Sequence, residues 1–208
     1  MAHYVITIAR EKGSGGYDTA KKLSEKLGIP FYDRKLLRIA SDVSGINEQL
    51  FGEVDERLGK REMMHAAQKV YTGEVLPPDS DNYTSQQNLF QFQAKIIAEL
   101  AETGSCIIVG RCADQILKGK PYLLRAFIHA PIEARIARVA TYSLAMTETD
   151  ICRYISEQDK NRADYYRFFT GEDWRDARHY DISLDSAALG IDGCADRIIK
   201  ALPIFTRK

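Results

Sequence analysis

The chain has 208 residues, 45% of them hydrophobic, and its 29 basic and 29 acidic side chains give a formal net charge of zero. A chain of this length can bury one substantial core but hardly two. Charge balance argues against a general nucleic-acid binder, and no apolar run is long enough to cross a bilayer. The N-terminal residues lack the basic-then-apolar pattern of a secretory signal. We therefore expect a cytoplasmic protein with no nucleic-acid or membrane partner, and a homo-oligomer is compatible with the sequence.

The cysteines and histidines are scattered along the chain. The cysteines form no C-x-x-C pair, and neither residue type falls at the spacing of zinc ligands. Apolar surroundings, as in the run Cys-Ile-Ile-Val from residue 106, are typical of small core residues. The pattern predicts reduced core cysteines without a redox or metal role at Cys106, Cys112, Cys152 and Cys194.

A short apolar strand, a glycine-rich turn and a helix follow one another at the start of the chain. The strand is predicted over residues 4–9, the turn Arg-Glu-Lys-Gly-Ser-Gly-Gly occupies residues 10–16, and the helix runs from about 17 to 27. Glycine lets the backbone approach an anion closely, and a helix N-terminus adds the positive end of its dipole. The pattern predicts a phosphate cradle, against the alternative of a merely flexible turn.

The turn and the residue after it depart from the P-loop pattern G-x-x-x-x-G-K-[ST] at three positions. With Gly15 on the second glycine, Arg10 stands at the first glycine, Gly16 at the lysine and Tyr17 at the serine or threonine. Arg10 and Lys12 lie in the same turn and are candidates for the missing positive charge. The alternative is that both are solvated loop charges.

Strand-like and helical segments alternate along the chain, which argues for a parallel sheet with helices on both faces. The predicted strands span residues 4–9, 31–32, 106–109, 123–129 and 180–184. The predicted helices span residues 17–27, 87–102 and 132–145, then one from 147 onward and a last one capped near Asp192. We expect Ile132, Ile136 and Val139 to form the buried face of the third helix, and Thr147 with Asp150 to cap the fourth.

Two further segments have distinctive composition. Residues 75–86 are rich in proline and small polar residues, which predicts a surface loop joining a helical insertion, at about residues 46–72, to the core. Residues 165–174 are strongly aromatic. The aromatic side chains favour packing of a lid onto the core, with base stacking as the alternative.

Polar residues follow the predicted strands at the edge where parallel sheets bind ligands. Asp33 and Arg34 follow the second strand, and Arg111 follows the third, directly after a glycine. A guanidinium at this place suits bidentate capture of phosphate, or an ordinary structural ion pair. Asp33 fits either a helix cap or a carboxylate that orients a metal-bound water. Asp159 and Arg162 share one face of the later helix because they are three residues apart.

Four segments, in this order, resemble the cytidylate kinase-like family. They are IAREKGSGG at residues 8–16, FYD at 31–33, IVGRCAD at 108–114 and DKNR at 159–162. The resemblance covers nearly the whole chain, and its members resemble the P-loop nucleoside monophosphate kinases.

The resemblance implies a P-loop NTPase-type fold, an α/β three-layer sandwich around a five-stranded parallel sheet. It places residues 1–208 in one domain. A monophosphate-binding insertion would cover about residues 46–86, and a mobile helical lid about residues 147–175.

The resemblance also implies roles for individual residues. An arginine matching Arg111 grips the acceptor's phosphate in this family, and residues matching Asp159 and Arg162 engage the acceptor nucleotide. We assign catalysis to Lys12, Arg111 and Arg162. The donor phosphates are assigned to Arg10, Gly13, Ser14, Gly15, Gly16 and Tyr17. The acceptor is assigned to Asp33, Arg34, Arg111, Asp159 and Arg162, with Asp33 also placing the metal.

The function implied is phosphoryl transfer from ATP, with Mg²⁺, to a small acceptor, most simply CMP or a dCMP-like nucleoside monophosphate. Two alternatives stay open. A binding protein that kept the cradle and lost catalysis is favoured by Gly16 in place of the P-loop lysine. A kinase with a non-nucleotide acceptor is favoured by Arg34, which replaces the family's base-reading serine.

Overall fold

A five-stranded, all-parallel sheet forms the centre of the computed structural model, which describes residues 3–58 and 73–205. The strand order is β2-β3-β1-β4-β5. The strands are β1 Val5–Arg10, β2 Phe31–Tyr32, β3 Cys106–Val109, β4 Leu123–His129 and β5 Ile182–Asp185. The predicted fold class is confirmed. Residues 59–72 of the predicted insertion lie outside the described residues.

Helices cover both faces of the sheet. They are α1 Gly16–Leu27, α2 Lys35–Ser44, α3 Glu48–Glu53, α4 Gln86–Thr103, α5 Ala113–Ile116, α6 Ile132–Ala140, α7 Glu148–Thr170 and α8 Ser186–Ala201. Residues 73–85 form turns and bends, as predicted for the proline-rich loop. No helix among the described residues is long and apolar enough to cross a membrane.

Side-chain alternation along the strands builds one core on each face of the sheet. In β1, Val5 packs with α2 and α4 residues on one face, while Ile6 and Ile8 pack with α1 and α8 residues on the other. In β3, Ile108 and Ile107 divide between the two faces in the same way. Because both faces of the sheet are buried, the sequences of these strands are nearly continuous apolar runs.

The aromatic segment near the end of α7 packs into the fold, as predicted. The rings of Phe90 in α4 and Phe169 in α7 stack with their centroids 3.9 Å apart. Trp174 meets Phe127 of β4 edge to face, at 5.5 Å. These buried rings fix the carboxyl end of α7 against the sheet, while its amino end packs on α6 through Ile151.

Helix α6 is shorter and less buried than predicted. It ends at Ala140 instead of near residue 145, and the Thr141 hydroxyl donates to the Arg138 carbonyl oxygen at 2.7 Å. Such side-chain bonds compete with helix propagation. Ile132 is 36% exposed, so its prediction as a buried residue is wrong. The apolar face of α6 meets α7 only further along, through Val139.

The predicted start of the last helix near Asp192 is wrong. Helix α8 begins at Ser186, and the Asp185 carboxylate accepts from the N–H of Ala187 at 2.8 Å. Gly190 interrupts the helix with a φ of 69°. Because the regular helix resumes just beyond that glycine, the sequence around Asp192 has the pattern of a helix start.

Three of the four cysteines are buried, as predicted, but Cys152 is exposed on α7. All four are free thiols. Burial raises the pKa of Cys106 to about 12, and it raises the pKa of Cys112 as well. A thiolate is the reactive form, so the buried thiols should be inert in the folded protein.

We expect one equivalent of a thiol-specific reagent to label the native chain at pH 8, at Cys152. Counting labelled thiols before and after denaturation tests this, with Cys152→Ser as the control that should remove native labelling. Rapid labelling of a second thiol in the native state would contradict the packing around the sheet.

Candidate functional site

The glycine-rich turn joins the carboxyl end of β1 to α1. Since β1 is central, with β3 on one side and β4 on the other, the turn lies where the strand order changes direction, which is the usual ligand crevice of such sheets. Gly13 and Gly15 have φ of 78° and 80°, in the left-handed region. A Cβ on Gly13 would lie 2.8 Å from the carbonyl oxygen of Arg135. The shape of the turn therefore requires glycine at these positions.

The turn and the first residues of α1 line a cleft of about 820 Å³. Gly13, Gly15, Gly16 and Tyr17 are among the lining residues. Gly15 is the N-cap of α1 and has no side chain with which to cap the helix. The first N–H groups of α1 are thus available to an anion in the cleft, at the positive end of the helix dipole.

Ser14 differs from its neighbours in the turn. It is fully buried, its hydroxyl donates to the Glu11 carbonyl oxygen at 2.9 Å, and its own carbonyl oxygen accepts from Ser186. The side chain therefore stabilises the turn itself, and the carbonyl oxygen ties the turn to α8. The Ser14 N–H also donates to the Glu11 carbonyl oxygen, at 3.3 Å, so Ser14 supports the turn in this structure and does not line the cleft.

Two of the three departures from the P-loop pattern, at Arg10 and Gly16, are sterically coupled. Gly16 stands where the P-loop pattern has its lysine, and Arg10 stands where it has its first glycine. A Cβ on Gly16 would collide with the Cβ of Arg10. The arginine and the lysine cannot both be accommodated by this backbone. The sequence shows both departures but not that one requires the other.

Lys12 is fixed by its main chain and points its ammonium group along the cleft. Its N–H donates to Asp159 Oδ1 at 2.7 Å, and its carbonyl oxygen accepts from Arg135 Nε at 2.8 Å. Its Nζ lies 5.7 Å from the ring centroid of Tyr142 and 5.0 Å from that of Tyr154. All three of these side chains belong to cleft-lining residues. The two rings hold the ammonium group by cation–π attraction.

Arg138 on α6 is a second cation beside the turn, and the sequence analysis missed it. Its Nη1 donates to the Gly13 carbonyl oxygen at 2.6 Å, and the residue lines the cleft. The sequence marks Arg138 only as one polar position on an amphipathic helix. Its place beside Gly13 follows from the packing of α6 on the turn.

Arg111 is buried behind the cleft, its side chain 1% exposed. Its Nε and Nη2 donate to the two carboxylate oxygens of Asp55, both at 2.9 Å, and its Nη1 donates to the Asp33 carbonyl oxygen at 2.9 Å. In this structure Arg111 thus makes an ion pair, one of the two roles predicted from sequence.

Asp159 and Arg162, which were predicted to act together, lie in different surroundings. Asp159 is buried and accepts from Lys12 and Arg135. Arg162 lines the cleft, and its Nε donates to Glu56 Oε2 at 3.0 Å. Asp159 therefore ties the turn to α6 and α7, and Arg162 is the member of the pair that can reach a ligand.

Glu56 is the second residue that the sequence analysis missed. Its carboxylate accepts from Arg10 Nη1 and Nη2 at 2.6 and 2.9 Å, and from the main-chain N–H of Arg111 at 3.1 Å. Burial alone would raise the pKa of Glu56, but the guanidinium groups of Arg10 and Arg162 hold it well below its ordinary value. No local pattern predicts these contacts, because Arg10 and Glu56 are 46 residues apart in the chain.

Asp33 and Arg34 line the same cleft. The Asp33 side chain does not cap α2, whose N-cap is Arg34, and its Oδ1 lies 3.6 Å from Arg111 Nη1. Within residues 3–58 and 73–205, no group of three or more acidic, histidine or cysteine side chains could hold a metal alone. Mg²⁺ commonly binds one or two carboxylates plus phosphate oxygens, and Asp33 and Asp18 both line the cleft. This donor set fits a Mg²⁺ ion shared with a phosphate ligand.

Known proteins resemble this chain in sequence and in fold. The model of the cytidylate kinase-like family matches residues 5–188. A cytidylate kinase from Methanopyrus kandleri is 28% identical over 192 residues, covering 88% of this chain and 84% of that protein.

Solved structures extend the likeness over the whole fold. An uncharacterized protein from Eubacterium ventriosum is 28% identical, with a TM-score of 0.70 and coverage of 96% of this chain and 98% of that one. Shikimate kinase from Bacteroides thetaiotaomicron is 14% identical with a TM-score of 0.56, over 97% and 99% of the two chains, and supports the fold alone. Since the family model spans most of the sequence, from the first strand to the start of α8, this chain belongs to the cytidylate kinase-like family.

Proposed function

We propose that this protein is a nucleotide kinase that transfers the γ-phosphoryl group of ATP to a nucleoside monophosphate, CMP or dCMP in the first instance. One observation carries the proposal: the glycine turn and the predicted acceptor residues Asp33, Arg34 and Arg162 line one and the same cleft. Donor and acceptor phosphates could therefore meet within it. The proposed setting is the cytoplasm.

The donor phosphates would lie against the glycine turn. Phosphoryl transfer relies mainly on positioning and on neutralising charge over the transferred group. The N–H groups of Gly13, Gly15, Gly16 and Tyr17 would hold the phosphate oxygens. Lys12 and Arg138 would supply the positive charge that the P-loop lysine gives elsewhere, whereas the Arg10 guanidinium is paired with Glu56.

Mg²⁺ would be held by Asp33, together with phosphate oxygens and water. When bound, the ion would neutralise part of the charge of the phosphates. The chain's own part is to present the carboxylate at the cleft wall, where the ion pair of Asp33 with Arg111 restrains its position.

The acceptor would bind at the wall formed by Asp33, Arg34 and Arg162, with Arg111 behind it. Asp159 would act through Lys12 and Arg162, whose positions it fixes. We assign residues of about 46–86 to the monophosphate-binding region. The segment of about 147–175 is assigned to a lid whose closure would exclude water and prevent hydrolysis of ATP.

A coupled assay tests the proposal. The protein is incubated with ATP, Mg²⁺ and each nucleoside monophosphate in turn, and diphosphate formation is followed. We expect turnover, highest with CMP or dCMP. ATP binding by calorimetry without turnover on any acceptor would instead identify a binding protein, which the glycine at position 16 favours. Turnover only with a non-nucleotide acceptor would fit the presence of Arg34.

The rings around Lys12 provide a prediction that separates positioning from general stability. Removing both rings, in Tyr142→Ala/Tyr154→Ala, should lower kcat about tenfold, since each cation–π contact contributes about 0.5–1 kcal/mol at an exposed site. Phenylalanine at both positions should restore most of kcat because it keeps the ring faces. In a Lys12→Met background, loss of the rings should change little. If the phenylalanine variant is as slow as the alanine variant, the rings do not act through the ammonium group.

A further inference from the structure

Two adjacent carboxylates occupy the centre of an arginine cluster beside the cleft. Glu56 contacts Arg10 and Arg162, and Asp55 contacts Arg111 through two parallel hydrogen bonds. The two carboxylates lie in the turn that follows α3. The side chains of Arg10, Arg162 and Glu56 are only 13–14% exposed, so the contacts are largely removed from solvent.

The Glu56 carboxylate receives four donors on two oxygens. Oε1 accepts from Arg10 Nη1 and from the main-chain N–H of Arg111, and Oε2 accepts from Arg10 Nη2 and Arg162 Nε. Two guanidinium groups and a backbone N–H are a donor set that suits phosphate oxygens. A solvated surface ion pair would not need so many donors.

The backbone around these donors is held in an unusual conformation. Gly110, Arg111 and Cys112 all have positive φ, at 77°, 54° and 57°. A Cβ on Gly110 would collide with the Glu56 carboxylate and the Arg10 guanidinium. Glu56 itself has a φ of 51°. Strained backbone of this kind persists at ligand-binding sites, where surrounding structure enforces it.

We propose that the Asp55–Glu56 turn is an internal competitor of the acceptor: its carboxylates occupy the subsite of Arg10, Arg111 and Arg162, and an acceptor phosphate binds by displacing them. This inference rests on the proposed function. A phosphate monoester dianion carries the charge of two carboxylates, so the exchange leaves the charge balance of the arginines unchanged. Neutral ligands cannot make this exchange, which favours acceptors that carry a phosphate or another anionic group.

The exchange predicts that weakening Glu56 strengthens phosphate binding. A ligand can bind only the fraction of the protein whose site is free of the internal group. Its apparent Kd therefore rises as that free fraction falls. In Glu56→Gln, which keeps the shape and removes the charge, we expect the Kd for inorganic phosphate to fall by about tenfold. The KM for the acceptor should fall with it. A purely structural ion pair predicts the opposite, a weaker site.

Calorimetric titration with inorganic phosphate measures the effect. The matched control is Glu53→Gln, which removes an exposed carboxylate at the end of α3 and should leave the Kd unchanged. Adding Arg162→Gln to the Glu56→Gln variant should abolish the gain. If the gain persists, phosphate binds elsewhere and the proposal is wrong. It is equally wrong if Glu56→Gln is folded and binds phosphate no better than the parent chain.

A second measurement uses the unmodified protein, in case Glu56→Gln does not fold. The N–H of Arg57 donates to the Val54 carbonyl oxygen at 3.2 Å within the same turn. Displacement should speed hydrogen exchange at the Arg57 amide when phosphate or acceptor is added. Unchanged or slower exchange would overturn the proposal. Neither binding nor hydrogen exchange requires turnover. The kinase assignment can therefore fail while this inference holds, and this inference can fail while the kinase assignment holds.

Discussion

Replacing Lys12 by methionine lowers kcat by about 10²–10³-fold if the ammonium group serves the transferred phosphoryl, an effect comparable with the loss of one preorganised donor at a transition state. Lys12 is the lysine of the glycine turn that lines the cleft, and its main chain is bonded on both sides, to Asp159 and Arg135. Methionine keeps the length of the side chain and removes its charge. Steady-state kinetics with saturating ATP and acceptor measure the change.

The matched control is Lys160→Met. Lys160 is exposed on α7, where it pairs with Asp164, and the same loss of charge there should leave kcat unchanged. Retention of full activity by Lys12→Met would mean that another cation serves the phosphates. Arg138 would then be the first candidate, because it also borders the turn.

Restoring the P-loop lysine in the single variant Gly16→Lys inactivates the protein instead of improving it. The new Cβ would collide with the Cβ of Arg10, an atom close to the backbone that cannot rotate away. Overpacking of this kind costs about 1–3 kcal/mol, and here it distorts the turn that forms the proposed donor site. Urea denaturation and calorimetric titration with ATP measure the loss of stability and of binding.

The double variant Arg10→Gly/Gly16→Lys removes the collision and recreates the usual pattern at both positions. Its loss of stability should be smaller than the sum of the two single losses, since the residues are in contact and couple. Additive losses would show that the collision does not govern the choice of residues. A stable and active Gly16→Lys single variant would also contradict the account of the turn.

Local patterns predicted the parts of the fold that depend on neighbouring residues. The apolar run of β1 followed by glycines predicted the turn, and Thr147 caps α7 by accepting from the Asp150 N–H at 3.2 Å, as predicted. Residues seven apart share one face of a helix, so Arg153 and Lys160 lie on the same face of α7. Arg153 and Lys160 are 68% and 65% exposed and pair with acidic residues of the same helix.

The parts that depend on distant packing could not be predicted in the same way. Helix α2 has no side-chain cap and so gave no start signal. Glu56 gains its role only when the turn after α3 folds against β1 and β3, next to Arg10 and Arg111. The alternatives for Arg111 stayed open because its ion partner, Asp55, is 56 residues away in the chain. Tertiary contacts of this range leave no periodic signal in a single sequence.

The central claim is that the turn from Gly13 to Tyr17 receives the phosphates of a nucleoside triphosphate. The most direct measurement is a crystal structure with Mg²⁺ and a non-hydrolysable ATP analogue at saturating concentration. We predict analogue phosphates against the main-chain N–H groups of that turn, with Lys12 Nζ within reach of their oxygens. A turn left vacant, with the analogue absent or bound elsewhere, would contradict the account.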